Sequence, residues 1–188
     1  MNNDADIASF VSLDFEATSA SPRFARIVSA AAVTFSSGAV AETFYSLVDP
    51  GESIPADSTA IHGIRDADVA AAPSTASVLK QLVPLLCSRR VIVGYNVVEY
   101  DLPLLAAECR RCGIDATSLR GCTVYDVYQW TPMLRTGRSL AAQCLHNGVD
   151  LKRAHSADAD AEATGRLYLA MLGRVAGAAV GWQSLFTA

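Results

Sequence analysis

Ser12-Leu13-Asp14-Phe15-Glu16-Ala17-Thr18 closes an apolar run that begins at Ile7, and the spacing of its two acids decides how the chain reads. Residues i and i+2 of a β-strand share a face. Asp14 and Glu16 therefore present both charges on one side, while Leu13 and Phe15 point into a core. Two like charges at this spacing repel unless one is protonated or a cation lies between them. Oxygen-only ligands at a strand end suit a hard divalent ion such as Mg²⁺. The alternative is a strand running out into solvent, where exposed acids cost little.

Composition narrows the setting. A chain of 188 residues suits one compact domain over 1–188. With 51% hydrophobic and 18% charged residues, disorder is excluded. The N-terminus lacks a basic leader region, and no apolar stretch approaches the ~20 residues of a spanning helix, so a cytoplasmic protein with no membrane partner is expected. A net charge of −4 argues against a broad basic face for long nucleic acid. It leaves room for a small acidic site that bound cations would neutralise. The basic residues are nearly all Arg, which suits bidentate phosphate contacts or reflects genome composition. Cys87, Cys109, Cys112, Cys122 and Cys144 read as reduced thiols; the competing reading is a zinc site from Cys109, Cys112, Cys122 and either Cys144 or His146.

Working outward from the opening strand, Arg26 to Phe35 and Ala39 to Val48 read as two further strands, joined through Ser36-Ser37-Gly38 into an antiparallel meander. A short helix from Pro55 stops at Gly63. A longer one, from Ser74 to Cys87, is expected to kink or shorten at Pro84. Val91-Ile92-Val93-Gly94 is a short buried strand, followed by a helix from Tyr100 to Cys112. Val124 to Val127 reads as the last strand, and Ser139 to Asn147 and Ser156 to Leu172 as the last helices. Strands first, then helices alternating with short strands, is the order of a mixed sheet covered on both sides.

Two later stretches carry further chemistry. Asp101 opens a helix after Gly94-Tyr95-Asn96, where an acid also favours the helix dipole. His155 and Asp160 lie about 140° apart on a continuous helix and would not share a ligand. They converge if the helix starts between them, with Ser156 or Asp158 as the cap. A surface His beside a capping Asp is the alternative.

Together these residues resemble the DEDDh 3′-5′ exonucleases over nearly the whole chain. Asp14-Phe15-Glu16-Ala17-Thr18 matches the family's D-x-E-x-T, Gly94, Asn96 and Asp101 its second motif, and His155, Ala157 and Asp160 its H-x-A-x-x-D. Ile61-His62-Gly63-Ile64 matches its I-H-G-[IL] loop. Two departures stand out: Tyr95 replaces the His of the usual G-H-N, and Ala17 with Ser19-Ala20-Ser21-Pro22 makes the loop after the first motif atypical.

The resemblance implies an RNase H-like α/β fold with a central mixed five-stranded sheet. It implies Asp14, Glu16, Asp101 and Asp160 as ligands of two divalent cations, Mg²⁺ or Mn²⁺, with His155 as general base. The implied reaction is phosphodiester hydrolysis from the 3′ end of single-stranded DNA or RNA, releasing nucleoside monophosphates. Phe15, Thr18, Ile61, His62, Ile64 and Asn96 are the implied contacts to the terminal nucleotide; for Ile61 and Ile64 a plain core role is the alternative. An RNA-trimming enzyme and an inactive nucleic-acid-binding module of the same fold are the other readings, the intact acids arguing against the second. Gly181-Trp182-Gln183-Ser184-Leu185-Phe186 resembles a sliding-clamp-binding pentapeptide with Gln183 one residue too close, so a tail folded back on the domain is preferred. Polymerase or clamp association and a homodimer stay open.

Overall fold

A computed structural model of the chain describes residues 9–131 and 137–172. The expected strand start at Ile7 and the clamp-like tail lie outside the described residues. The meander is formed by β1 (Ser9–Ala17), β2 (Ile27–Ser36) and β3 (Ala39–Leu47). Next come α1 (Ala56–His62), α2 (Asp66–Val69) and α3 (Thr75–Arg89). Then follow β4 (Val91–Gly94), α4 (Asp101–Cys112), β5 (Thr123–Asp126), α5 (Leu140–Asn147) and α6 (Ala157–Leu172). Single 3₁₀ turns at Thr117–Gly121 and Val127–Trp130 flank β5; no sequence signal announced them.

The five strands form one sheet in the order β3-β2-β1-β4-β5. β1 pairs antiparallel with β2, with Asp14 opposite Ala31 and Glu16 opposite Ser29, and parallel with β4. β5 extends the parallel half. The mixed sheet expected from the order of elements is therefore present. Parallel strands need a crossover, and α3 supplies the long one between β3 and β4.

Strand alternation sorts the core into two layers. Val11, Leu13 and Phe15 of β1 face Leu79, Leu82 and Leu86 of α3 and Leu102 and Leu105 of α4. Phe10 of β1, Val33 and Phe35 of β2 and Val93 of β4 face Ala161, Leu167 and Tyr168 of α6. Each such side chain contributes about 1.5–3 kcal/mol on full burial. Asp14 and Glu16 share the parity of Phe10, so they lie on the α6 side. At the other end of β1, beside Phe10, α6 comes unusually close to the sheet: a Cβ on Gly165 would meet Cε2 of Phe35 at 2.2 Å, and Phe35 is itself stacked on Phe10 at 4.7 Å between centroids.

One expectation needs correcting. α3 runs through Pro84 to Arg89 as a single helix rather than shortening there. Pro84 is exposed, so water reaches the Lys80 carbonyl that the missing N–H would have bonded.

Candidate active site

Three acids meet where β1 passes under the first turn of α6. One ligand oxygen each from Asp14, Glu16 and Asp160 lies within 4.8 Å of the others. Glu16 and Asp160 are almost fully buried, and Asp14 retains partial solvent contact. Burial pushes the Glu16 carboxyl up to about 7, with Asp160 adding repulsion. Burial also pushes Asp160 up to about 6, against the His155 backbone bond and the nearby His155 charge. Asp14 is raised well above the carboxylate range by desolvation first, then by Asp101, Glu16 and Asp160.

Among the described residues, no Lys or Arg forms an ion pair with the cluster. Asp160 Oδ2 accepts the His155 N–H at 2.9 Å, while its Oδ1 is buried without a partner. An orphaned carboxylate oxygen among mutually repelling, oxygen-only donors fits a hard divalent cation.

Asp101 approaches from the opposite layer. It is the first residue of α4, 3% exposed, and its Oδ1 accepts the Phe15 N–H at 3.0 Å. Its carboxyl is raised by desolvation and lowered by that bond, with Glu16 and Asp126 raising it further. It thus stands close enough to repel Asp14 and Glu16, though it is not one of the three that converge within 4.8 Å.

His155 sits on the loop, as the cap argument requires, because α6 begins at Ala157. Its φ of 62° is left-handed, an uncommon state for a non-glycine residue, and the bond to Asp160 holds it there. The imidazole is exposed. Ser156 donates to Asp158 at 2.5 Å and Arg153 pairs with Asp158 at 2.7 Å, closing the loop outside the acids.

The turn before Asp101 depends on a residue that sequence reasoning missed. Asp126, at the end of β5, accepts the N–H groups of Asn96 at 2.8 Å, Val98 at 3.1 Å and Tyr128 at 3.1 Å. It is wholly buried, and burial raises its carboxyl despite those bonds. Asn96 takes φ 60°, and Gly94 is needed because a Cβ there would meet Val97 Cβ at 2.4 Å. The only sequence hint was an acid ending a short apolar strand. Tyr95, in place of the expected His, donates to the Arg138 carbonyl and lies edge-on to Tyr128.

The residues expected around a terminal nucleotide divide into two groups. Ile61 is 60% exposed, so it is not a core residue. Ile64 is half-buried against Val28, Ile54 and Val69. His62 accepts the Ile64 N–H on Nδ1 at 3.0 Å, so its neutral form carries the proton on Nε2. Burial lowers the His62 pKa, the Ala17 carbonyl raises it and the His155 charge lowers it, and Nε2 is buried without a well-formed bond.

Phe15 and Thr18 belong to the frame. Phe15 is core. Thr18 Oγ1 donates to Glu52 and accepts from the Arg26 N–H, both at 3.0 Å, while the Thr18 N–H donates to the Arg26 carbonyl and its carbonyl accepts from Ser58.

A second buried acid was also missed. Glu108 of α4, 0% exposed, takes Arg26 at 2.7 Å and Arg111 at 2.9 Å on one oxygen. Arg111 also donates to the carbonyls of Arg23 and Ala25. The hint was an acid inside an apolar helical run with Arg three residues on. The five cysteines are free thiols, and among the described residues none joins a group of three or more metal-ligating side chains.

A five-stranded mixed sheet with carboxylates gathered at the end of its central strand defines the RNase H-like class of folds. Within that class the chain belongs to the exonuclease family, whose RNase T-type model matches residues 11–168. It is 30% identical over 167 residues to a PolC-type DNA polymerase III of Lacticaseibacillus paracasei, covering 87% of this chain and 11% of that protein. It is 29% identical over 167 residues to the 3′-5′ exonuclease DinG of Bacillus subtilis, covering 87% of this chain and 17% of that one. The crystal structure of E. coli exonuclease I with a dT13 oligonucleotide superposes with a TM-score of 0.77 at 20% identity, over 89% of this chain and 41% of that one. The chain thus spans less than a fifth of the length of these two relatives.

Proposed function

We propose that residues 1–188 form one catalytic domain that hydrolyses single-stranded DNA from the 3′ end, releasing nucleoside monophosphates. The observation that carries this reading is the convergence of Asp14, Glu16 and Asp160 within 4.8 Å, with Asp160 Oδ1 unpartnered. Asp14, Glu16 and Asp160 would hold one divalent cation, and Asp14 with Asp101 a second, Mg²⁺ or Mn²⁺ in each case. Such cations, when bound, neutralise the scissile phosphate and activate the attacking water.

The chain's own residues do the rest. His155 accepts the proton of the attacking water, from a loop whose backbone is tied to Asp160. Its exposure leaves the ring free to pass that proton to solvent. Exposed Ile61 offers a surface for the terminal base, and half-buried His62 follows it, near the sugar or phosphate. Asn96, Ile64, Phe15 and Thr18 frame that pocket. DNA is favoured over RNA by the names of the relatives, which also favour work beside a polymerase.

A 5′-labelled single-stranded DNA oligonucleotide with Mg²⁺ should give a descending ladder that EDTA abolishes. Release of internal fragments, or no cleavage with either metal, would sink the reading. A matched RNA degraded faster than the DNA would move the substrate but not the chemistry.

A further inference from the structure

Phe24 is 72% exposed, the most exposed Phe of the described residues, and it sits on the loop between β1 and β2. Such exposure is ordinary on a mobile tip, but this loop is fastened along its length. The Ser19 carbonyl accepts from Tyr100, and the N–H groups of Phe24 and Ala25 both return to the Ser21 carbonyl. Arg111 holds the Arg23 carbonyl at 2.6 Å and the Ala25 carbonyl at 2.8 Å, and the ion pair of Arg26 with buried Glu108 closes the end. The backbone on both sides of Phe24 is thus fixed while its ring is presented to water. The Arg23 guanidinium lies 5.8 Å from the ring centroid, so one face is lined by a cation.

The loop lies alongside α4. Tyr100 adjoins Asp101 at the start of that helix, and Arg111, which holds Arg23, is ten residues further on. At 1.5 Å per residue that is ~15 Å, shortened by the lean of side chains toward the helix N-terminus to roughly 10–15 Å. A stacked strand advances ~3.4 Å per nucleotide, so this is about three to four nucleotides from the acids.

We propose that Arg23 and Phe24 form a second contact for the single-stranded substrate, stacking a base and neutralising a phosphate about three to four nucleotides before the reacting 3′ end. This rests on the exonuclease reading above. The occupant is the body of the same strand, because an aromatic face beside a guanidinium is what a base with its phosphate matches, whatever its sequence. An acidic protein would meet the net charge of −4 unfavourably. Substrates too short to reach the pair gain nothing from it.

The test compares wild type, Phe24→Ala and Arg23→Gln on the p-nitrophenyl ester of thymidine 5′-monophosphate, on dT2 and on dT10. The expected result is a ratio of KM for dT10 to KM for the ester that rises about 5- to 100-fold in Phe24→Ala and less in Arg23→Gln, with kcat on dT10 little changed. Arg23→Gln should also flatten the salt dependence of binding. A ratio equal to wild type, or a KM rising equally for the ester and dT10, overturns the proposal. Binding of fluorescent dT10 in Ca²⁺, read by anisotropy, separates the two readings. A wild type that binds dT10 more tightly than Phe24→Ala yet cleaves nothing sinks the exonuclease reading alone, and equal affinities sink the second contact.

Discussion

The protein buries acids in two places and treats them in opposite ways. Glu108 has two arginines on one oxygen, both from this chain. Among the described residues, Asp14, Glu16 and Asp160 form no ion pair with Lys or Arg and have one another, a backbone N–H and the exposed His155 nearby. Arg26 pairs through its backbone with Thr18, two residues beyond Glu16, so general scarcity of cations does not explain the contrast. Where charge serves the fold, the chain compensates it internally; where we propose that it serves chemistry, compensation is left to something that must come and go.

The widest break in that contrast is Asp14→Asn. Activity should fall on the order of 10³-fold or more, since the acid facing every other one is gone. Thermal unfolding in EDTA should show the variant as stable as wild type or more so, because a repelling charge is removed. Near-native turnover would mean the cluster is not the catalytic centre.

His155→Ala should lower kcat by roughly 10²- to 10⁴-fold. Mg²⁺ affinity, measured by calorimetry, should barely move. His155→Asn, which tolerates left-handed backbone, controls for loop shape; its rate should match that of the Ala variant. Recovery in Asn would make the backbone, not the ring, the functional part.

Glu108→Ala should act on the other side of the comparison, costing about 3–4 kcal/mol of stability by leaving Arg26 and Arg111 without their acid. Urea unfolding measures it. A neutral effect would show that the arginines are hydrated rather than paired.

Titration of the apo protein gives a further split. The Glu16 carboxyl rises from its ordinary value of 4.5 to about 7 on folding, so the native state binds the extra proton. Stability from this group is full below pH ~4.5 and lost as pH rises through ~7, in all about 3 kcal/mol. Denaturation in EDTA at pH 5 and pH 8 should therefore favour pH 5, and saturating Mg²⁺ should narrow the gap at pH 8 by about 2 kcal/mol. Equal stability at both values would mean the acids are already compensated.

Much of this was legible in the chain because single residues carry two instructions. In β1 the alternation that buries Leu13 and Phe15 also sets the face of Asp14 and Glu16. At α6 the cap position that starts the helix also frees His155 from it. Glu108 and Asp126 were not legible as buried acids, since Arg26 for the first and the Asn96 and Val98 N–H groups for the second come from elements far away in sequence and only the assembled sheet brings them near. Pro84 misled for a related reason: its effect depends on whether the freed carbonyl meets water, and only packing says which side faces out.

The contact between Gly165 and Phe35 bears on how fast the site can fill. Three acids that repel each other would drift apart if their elements were joined by charge or by a flexible loop. Here α6 rests on the sheet at van der Waals distance, through a glycine with no side chain to compress and a ring locked against Phe10. That spacing does not respond to ionic strength. Cation uptake should accordingly follow simple bimolecular kinetics, with a rate linear in metal concentration and no lag from a helix having to settle first.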